Sequence, residues 1–268
     1  MDFGLRRHCP DEIATIEALG EALQIYSWTD EVYGEYRDIA QDHQGIESLL
    51  ERPEPNAEER AVIDSLYRQL TQTAHRVGDL IPVLGRAFAT DRQRMMLSEA
   101  RDYLRDREGV GTFTRAGLAD LLTEYANPGR HLIIVGHSLG SVIAYDTLWG
   151  LSRSSTLRVA ALITIGSPLG TRFVRRLIKG AQDTGADRYP TNISRWTNIA
   201  AKGELTALYP RMREVFGEML QLGMLESLED HIDIYNHFVG ARGLNVHSEY
   251  GYLIHQAFAN ALVSAINE

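Results

Sequence analysis

The sequence predicts an α/β protein with a mostly parallel sheet and flanking helices. Three apolar runs of strand length carry this expectation: "HLIIVG" at 131–136, "VAALITIG" at 159–166 and the weaker "NISRWTNI" at 192–199. Each is separated from the next by helical or loop material, as crossover connections require, so a sandwich is disfavoured. The first two lack the alternation of a half-wet sheet and read as strands buried on both faces. A chain of 268 residues buries a substantial core, so one domain over 1–268 is expected.

In chain order, "EIATIEALGEAL" at 12–23 spaces Ile13, Ile16, Leu19 and Leu23 as a helix does, and "ALQIYSW" at 22–28 then reads as a short strand. From Val32 to Asp106 strand signals nearly vanish; apolar residues recur at three and four through 58–88 and 91–106, broken near Gly78, Pro82 and Gly85. The block at 34–108 is therefore expected to be a helical cap or insertion. The segment "ERPEPNAEER" at 51–60 has little to bury and reads as an exposed loop. A helix over 111–126 should stop at Asn127, Pro128 and Gly129. The 131–136 strand leads directly into a helical pattern at Leu139, Val142, Ile143, Leu148 and Leu151. No internal repeat or low-complexity tract interrupts the chain.

Composition narrows the function. With 44% apolar and 24% charged residues the chain is globular in type, and its net charge of -9 argues against binding a phosphate backbone. The basic run "RFVRRLIK" at 172–179 reads as one helix face after a loop. Cys9 is the single cysteine, which leaves no intrachain disulfide and no cysteine metal cluster and suggests a reducing, cytoplasmic compartment. No apolar run has the length of a membrane span, and the first residues lack the apolar segment of a secretory signal.

The chemistry concentrates at "GHSLG", 136–140. Here Ser138 falls on the turn between a buried strand and an apolar helix, a place that lifts a hydroxyl clear of the sheet edge. Gly136 and Gly140 remove side chains that such a turn would crowd, and the Leu139 N–H at the new helix's positive end suits an oxyanion. A serine nucleophile needs a base, and the base needs a carboxylate to orient it. His131 and His137 read as structural or surface groups; His231, His237, His247 and His255 follow the serine. Of these, His247 lies between a glycine-containing loop and a helical stretch, whereas His255 lies inside that stretch. For the acid, Glu204 follows the third strand across "AAKG", and Asp183 and Asp187 precede that strand.

The chain resembles the α/β-hydrolase superfamily, and within it the bacterial lipase- or esterase-like serine hydrolases. The resemblance covers about residues 130–260 and rests on four features in order: "IIVGHSLGSVIAYDTLW", "TIGSPLG" at 164–170, the "W.N" of Trp196 and Asn198, and the late "VH..YGYL" at 246–253. It implies Ser138 as nucleophile, His247 as base, Leu139 as an oxyanion-hole donor, and Glu204 at the position of the family's usual aspartate. It also implies a front strand and a His-Gly loop that "MDFGLRRHCP" is too short to supply. An N-terminally incomplete hydrolase-like sheet is expected, with a gap beside the 131–136 strand that "DLIPVLG" at 79–85 fills poorly because of Pro82. Gly4 would be a weak substitute oxyanion donor.

Other motifs read as structural. "EDHIDIYNHF" at 229–238 spaces His231 and His237 poorly for one metal, and Asp146 is expected to hydrogen-bond within the helix layer. Tyr145, Trp149 and Trp28 read as packing residues. The expected function is that of a serine hydrolase cleaving a carboxylic ester through an acyl-serine, its helical block selecting an apolar, lipid-like acyl group. It would use no cofactor or metal, a small-molecule ester as substrate, no nucleic acid and no membrane span. The alternative is a catalytically impaired hydrolase-like domain with a binding or interaction role.

Overall fold

Four strands form one parallel sheet in the computed structural model, which describes residues 1–33, 39–77, 91–126, 131–204, 209 and 211–267. They are β1 (Ile133–His137), β2 (Val159–Ile165), β3 (Ile193–Ala201) and β4 (Ser227–Ile234), adjacent in that order, and helices flank the sheet. The fold is thus mixed α/β with a small parallel sheet. Strictly alternating registers, such as Leu162 beside Trp196 and Ile163 beside Thr197, send neighbouring side chains to opposite faces. On one face Leu162 and Trp196 join Val142, Tyr145 and Leu148 of the Leu139–Ser154 helix. On the other, Ile163, Ile165 and Ile199 join Leu5 of the Asp2–His8 helix and Phe258 and Leu262 of the Gln256–Asn267 helix. Both faces are therefore dry, which is why β2 could be apolar at nearly every position.

A polar ladder crosses the first face. Trp196 Nε1 donates to Thr164 Oγ1 at 3.0 Å, Thr164 donates to Asn198 Oδ1 at 2.9 Å, and Asn198 Nδ2 donates to Asp230 Oδ1 at 3.0 Å. Asp230 also accepts from the amides of Met212 and Arg213, at 2.8 and 2.9 Å, where the Met212–Phe216 helix begins. Trp196, Thr164, Asn198 and Asp230 thus satisfy one another's buried polar groups, so the "W.N" pattern is explained by sheet cohesion.

Several expectations need correction. Residues 23–27 form no strand; Leu23 and Ile25 are exposed, at 49% and 84%, so an extended segment there would have no sheet to join, and Trp28 opens a helix. The segment at 227–234, not anticipated as a strand, is β4; its charged side chains hide the pattern because an edge strand is only partly covered. The sheet has no interior gap: among the described residues β1 is an edge, with Val135 39% exposed. The segment 79–85 lies outside the described residues. Gly4 is a packing glycine, since a Cβ there would come within 2.7 Å of Ile254 Cα.

The helical block at 34–108 contributes helices His43–Glu51, Ala57–Val77 and Asp91–Leu104. They go to different places. Leu49 packs with Phe238 and Ile254, while Asp64 and Ile63 meet the turn after β3 through Lys202 (3.2 Å) and Gly203. Tyr103 donates to Asp146 on the Leu139–Ser154 helix at 3.0 Å, and Asp146 also accepts from the Lys179 amide at 2.8 Å. Asp146 accordingly belongs to the helix layer. Tyr145 is buried against Trp196 and Phe216, and Trp149 donates to the Asp187 carbonyl at 3.0 Å.

Candidate functional site

Ser138 follows β1 directly and caps the helix that begins at Leu139. Its φ of 53° and ψ of -126° are unfavourable for a residue with a side chain. The surroundings hold it there: its amide donates to the Ile165 carbonyl at 3.0 Å, and its own carbonyl accepts from the Ser141 amide (3.1 Å) and Ser141 Oγ (2.5 Å). Ser141 Oγ in turn lies 2.6 Å from Ser167 Oγ. The two glycines of "GHSLG" are not equivalent. A Cβ at Gly136 would fall 2.6 Å from Ser141 Cα, so glycine is required for strand and helix to meet, whereas Gly140 faces open space. Leu139, as the first helical residue, presents an amide with no carbonyl one turn earlier to bond.

Three loops at the carboxyl ends of the strands converge on this serine. Glu204 follows β3 across a turn at Lys202 and Gly203, just past a register shift between Ile199 and Ala201 that re-aims the strand end. His247 arrives from the loop after β4. His247 Nε2 lies 2.9 Å from Ser138 Oγ, and His247 Nδ1 is hydrogen-bonded to Glu204 Oε1. A carboxylate can only accept, so Nδ1 carries the proton and Nε2 is left to accept from the serine hydroxyl. The Glu204 side chain is 1% exposed and that of His247 14%, so the chain of contacts runs from the interior toward solvent. Gly166, with φ of 57° at the end of β2, makes room for it: a Cβ there would lie 2.6 Å from Glu204 Oε1 and 3.2 Å from His247 Nδ1.

Sequence reasoning missed two residues that support this arrangement. His137 Nε2 donates to the His247 carbonyl at 2.9 Å, and the two rings lie 4.7 Å apart. Tyr252 donates to Glu204 Oε2. The "YGYL" motif contained Tyr252, but nothing in its spacing says that it returns to a carboxylate 48 positions earlier. The remaining candidates go elsewhere. His237 Nε2 donates to the Arg52 carbonyl at 2.9 Å; His255 sits between two helices, not inside one, and accepts from the Ala257 amide at 3.1 Å. His231 lies 3.7 Å from Glu229. Asp183 and Asp187 are exposed in the segment leading to β3.

Two buried groups near this layer give opposing pH dependences. Desolvation, then the nearby His247, lowers the His137 pKa from 6.5 to about 4. The unfolded chain thus binds a proton there that the folded chain refuses, and stability falls as pH drops from about 6.5 to 4. Burial raises the Asp146 pKa from 3.8 to about 6, so the folded chain holds that proton longer and stability rises as pH drops from about 6 to 4. Asp146→Asn removes the second effect. Urea unfolding midpoints across this range are expected to fall more steeply on acidification in the variant than in the parent, and parallel profiles would refute the assignment.

Comparison with protein-family models, with curated proteins and with solved structures finds no match. Among the described residues no group of three or more His, Cys, Asp or Glu side chains is arranged to hold a metal ion, and no helix is long and apolar enough to cross a membrane.

Proposed function

We propose that the protein is a serine hydrolase of the α/β-hydrolase kind, cleaving carboxylic esters through an acyl-serine intermediate. The observation that carries this reading is the hydrogen-bonded chain Ser138–His247–Glu204, assembled from three strand-end loops with the serine held in an unfavourable backbone conformation. In the forward step Ser138 Oγ bonds to the acyl carbon and its proton passes to His247 Nε2. Glu204 stabilises the resulting imidazolium, and the Leu139 N–H donates to the oxyanion. Collapse of the tetrahedral intermediate breaks the ester C–O bond, and His247 returns the proton to the departing alkoxide. Water, deprotonated by His247, then releases the acid and restores Ser138.

A preference for apolar acyl groups belongs to the same proposal. The Ala57–Val77 helix passes over Gly203, next to Glu204, with Leu66 3.2 Å from where a Gly203 Cβ would be, and Leu66 and Tyr67 are exposed beside that turn. Each methylene of substrate covered by such a surface would add about 0.8 kcal/mol to binding. On p-nitrophenyl esters kcat/KM is expected to rise from acetyl to octanoyl; a flat profile would remove the lipid-like preference and leave the serine chemistry standing.

The direct test is a fluorophosphonate probe with peptide mapping. The label is expected on Ser138 and absent from Ser138→Ala. A folded protein that takes no label would instead support a hydrolase-like binding domain.

A further inference from the structure

Glu204 stands where a shorter aspartate is usual in the resembling hydrolases, and its extra methylene adds a torsion that an orienting carboxylate must suppress. Tyr252 helps to do so. Fully buried, it accepts the Ala201 amide at 2.9 Å and donates its own hydroxyl proton to Glu204 Oε2. The direction is forced, because an amide can only donate; the phenolic proton must then point at the carboxylate. Glu204 is thereby gripped at both oxygens, Oε1 by His247 and Oε2 by Tyr252.

Both grips come from one short segment. His247 lies in a turn in which its amide donates to Asn245 Oδ1 at 3.2 Å and the Ser248 amide to the Asn245 carbonyl at 3.1 Å, and Tyr252 follows in the Glu249–Leu253 helix. Asn236, fully buried, donates to the Ser248 carbonyl at 2.7 Å and packs so closely on Gly251 that a Cβ there would overlap its Oδ1. Asn236 therefore ties the turn to the end of β4. A segment held in this way fixes the separation of its two donors, and with it the position of the carboxylate between them.

We infer that Tyr252 is a positioning residue for the proposed reaction: its hydroxyl, anchored by the Ala201 amide, clamps Glu204 in the orientation His247 needs and draws off part of the carboxylate's charge. The inference rests on the serine-hydrolase reading for its kinetic consequences but not for its geometric ones. Burial and the neighbouring carboxylate push the Tyr252 hydroxyl well above its ordinary pKa, so it remains a donor throughout the working range.

Tyr252→Phe keeps the ring and deletes the donor. Its kcat is expected to fall about ten- to a hundredfold with KM little changed, as for a displaced orienting group. Because the carboxylate is left more basic, it favours the imidazolium more strongly, and the acidic limb of the kcat/KM profile should move to higher pH. Fluorotyrosine at position 252, a stronger donor of nearly the same shape, should move that limb the other way and keeps the question open to measurement if Tyr252→Phe folds poorly. In a Glu204→Gln background the Tyr252→Phe change should cost little, since the two act through one contact. An unmoved limb, or an equal loss in both backgrounds, would overturn the inference. The NMR resonance of the proton between His247 and Glu204 supplies a readout without turnover. It is expected to shift in Tyr252→Phe, and an unchanged resonance would refute the clamp. Absent ester turnover in the parent would refute the hydrolase reading, while the resonance would still decide the role of Tyr252.

Discussion

Ser138→Ala is expected to lower kcat/KM for a p-nitrophenyl ester by about 10⁴-fold or more, with thermal stability close to the parent's. The stability expectation follows from contacts: what holds residue 138 is its backbone, through Ile165 and Ser141, and its side chain contributes a single hydrogen bond, to His247. Relief of the positive-φ conformation is not available to alanine, so no compensating gain is expected. His247→Ala should cost about as much, and the Ser138→Ala/His247→Ala double variant no more than either, because groups that act as a unit do not add. Glu204→Gln should cost about 10²- to 10⁴-fold by destabilising the tautomer in which Nδ1 carries the proton. Asp183→Asn and Asp187→Asn should leave turnover unchanged. Additive losses at Ser138 and His247, or an equal loss at Asp183, would place the chemistry elsewhere.

Gly166→Ala is the second large effect. The added Cβ would lie 2.6 Å from Glu204 Oε1, closer than real contacts allow, and the backbone φ of 57° is itself costly for alanine. The atom in the way is the end of a buried carboxylate already held by His247 and Tyr252, so it has nowhere to swing. Either Glu204 moves, and the imidazole loses its orienting partner, or the end of β2 moves, and the Ser138 amide loses the Ile165 carbonyl. A displacement of this kind costs about 10²-fold in turnover. Gly140→Ala is the informative contrast for stability: its Cβ meets nothing within 4 Å, and alanine in a helix is favoured by up to about 1 kcal/mol. Circular dichroism melts should show Gly166→Ala destabilised and Gly140→Ala equal to or above the parent. Equal melting of both would contradict the close approach at Gly166.

Local sequence determined the parts of this protein whose cause is local. The run at 159–165 is a strand whose side chains are dry on both faces, and that requirement is written in consecutive apolar letters; the run at 133–137 carries the same letters although, at the sheet edge, Val135 is exposed. The strand-to-helix turn at Ser138 was legible because its signal, a serine with a glycine two positions to either side between a strand and a helix, spans only five positions. Tertiary structure decided the rest. β4 carries Glu229, Asp230, His231 and Asp233, and only its place at the sheet edge, with Asp230 capping the Met212–Phe216 helix, reconciles those charges with a strand. The "ALQIYSW" segment has strand-like letters but joins no sheet, since residues 23–27 form no strand, and β propensity alone does not act. Which of four histidines meets Ser138, and that Tyr252 reaches Glu204, depend on contacts spanning 109 and 48 positions. Such contacts are set by where parallel strands end in space, a consequence of sheet order and crossover packing that no window along the chain contains.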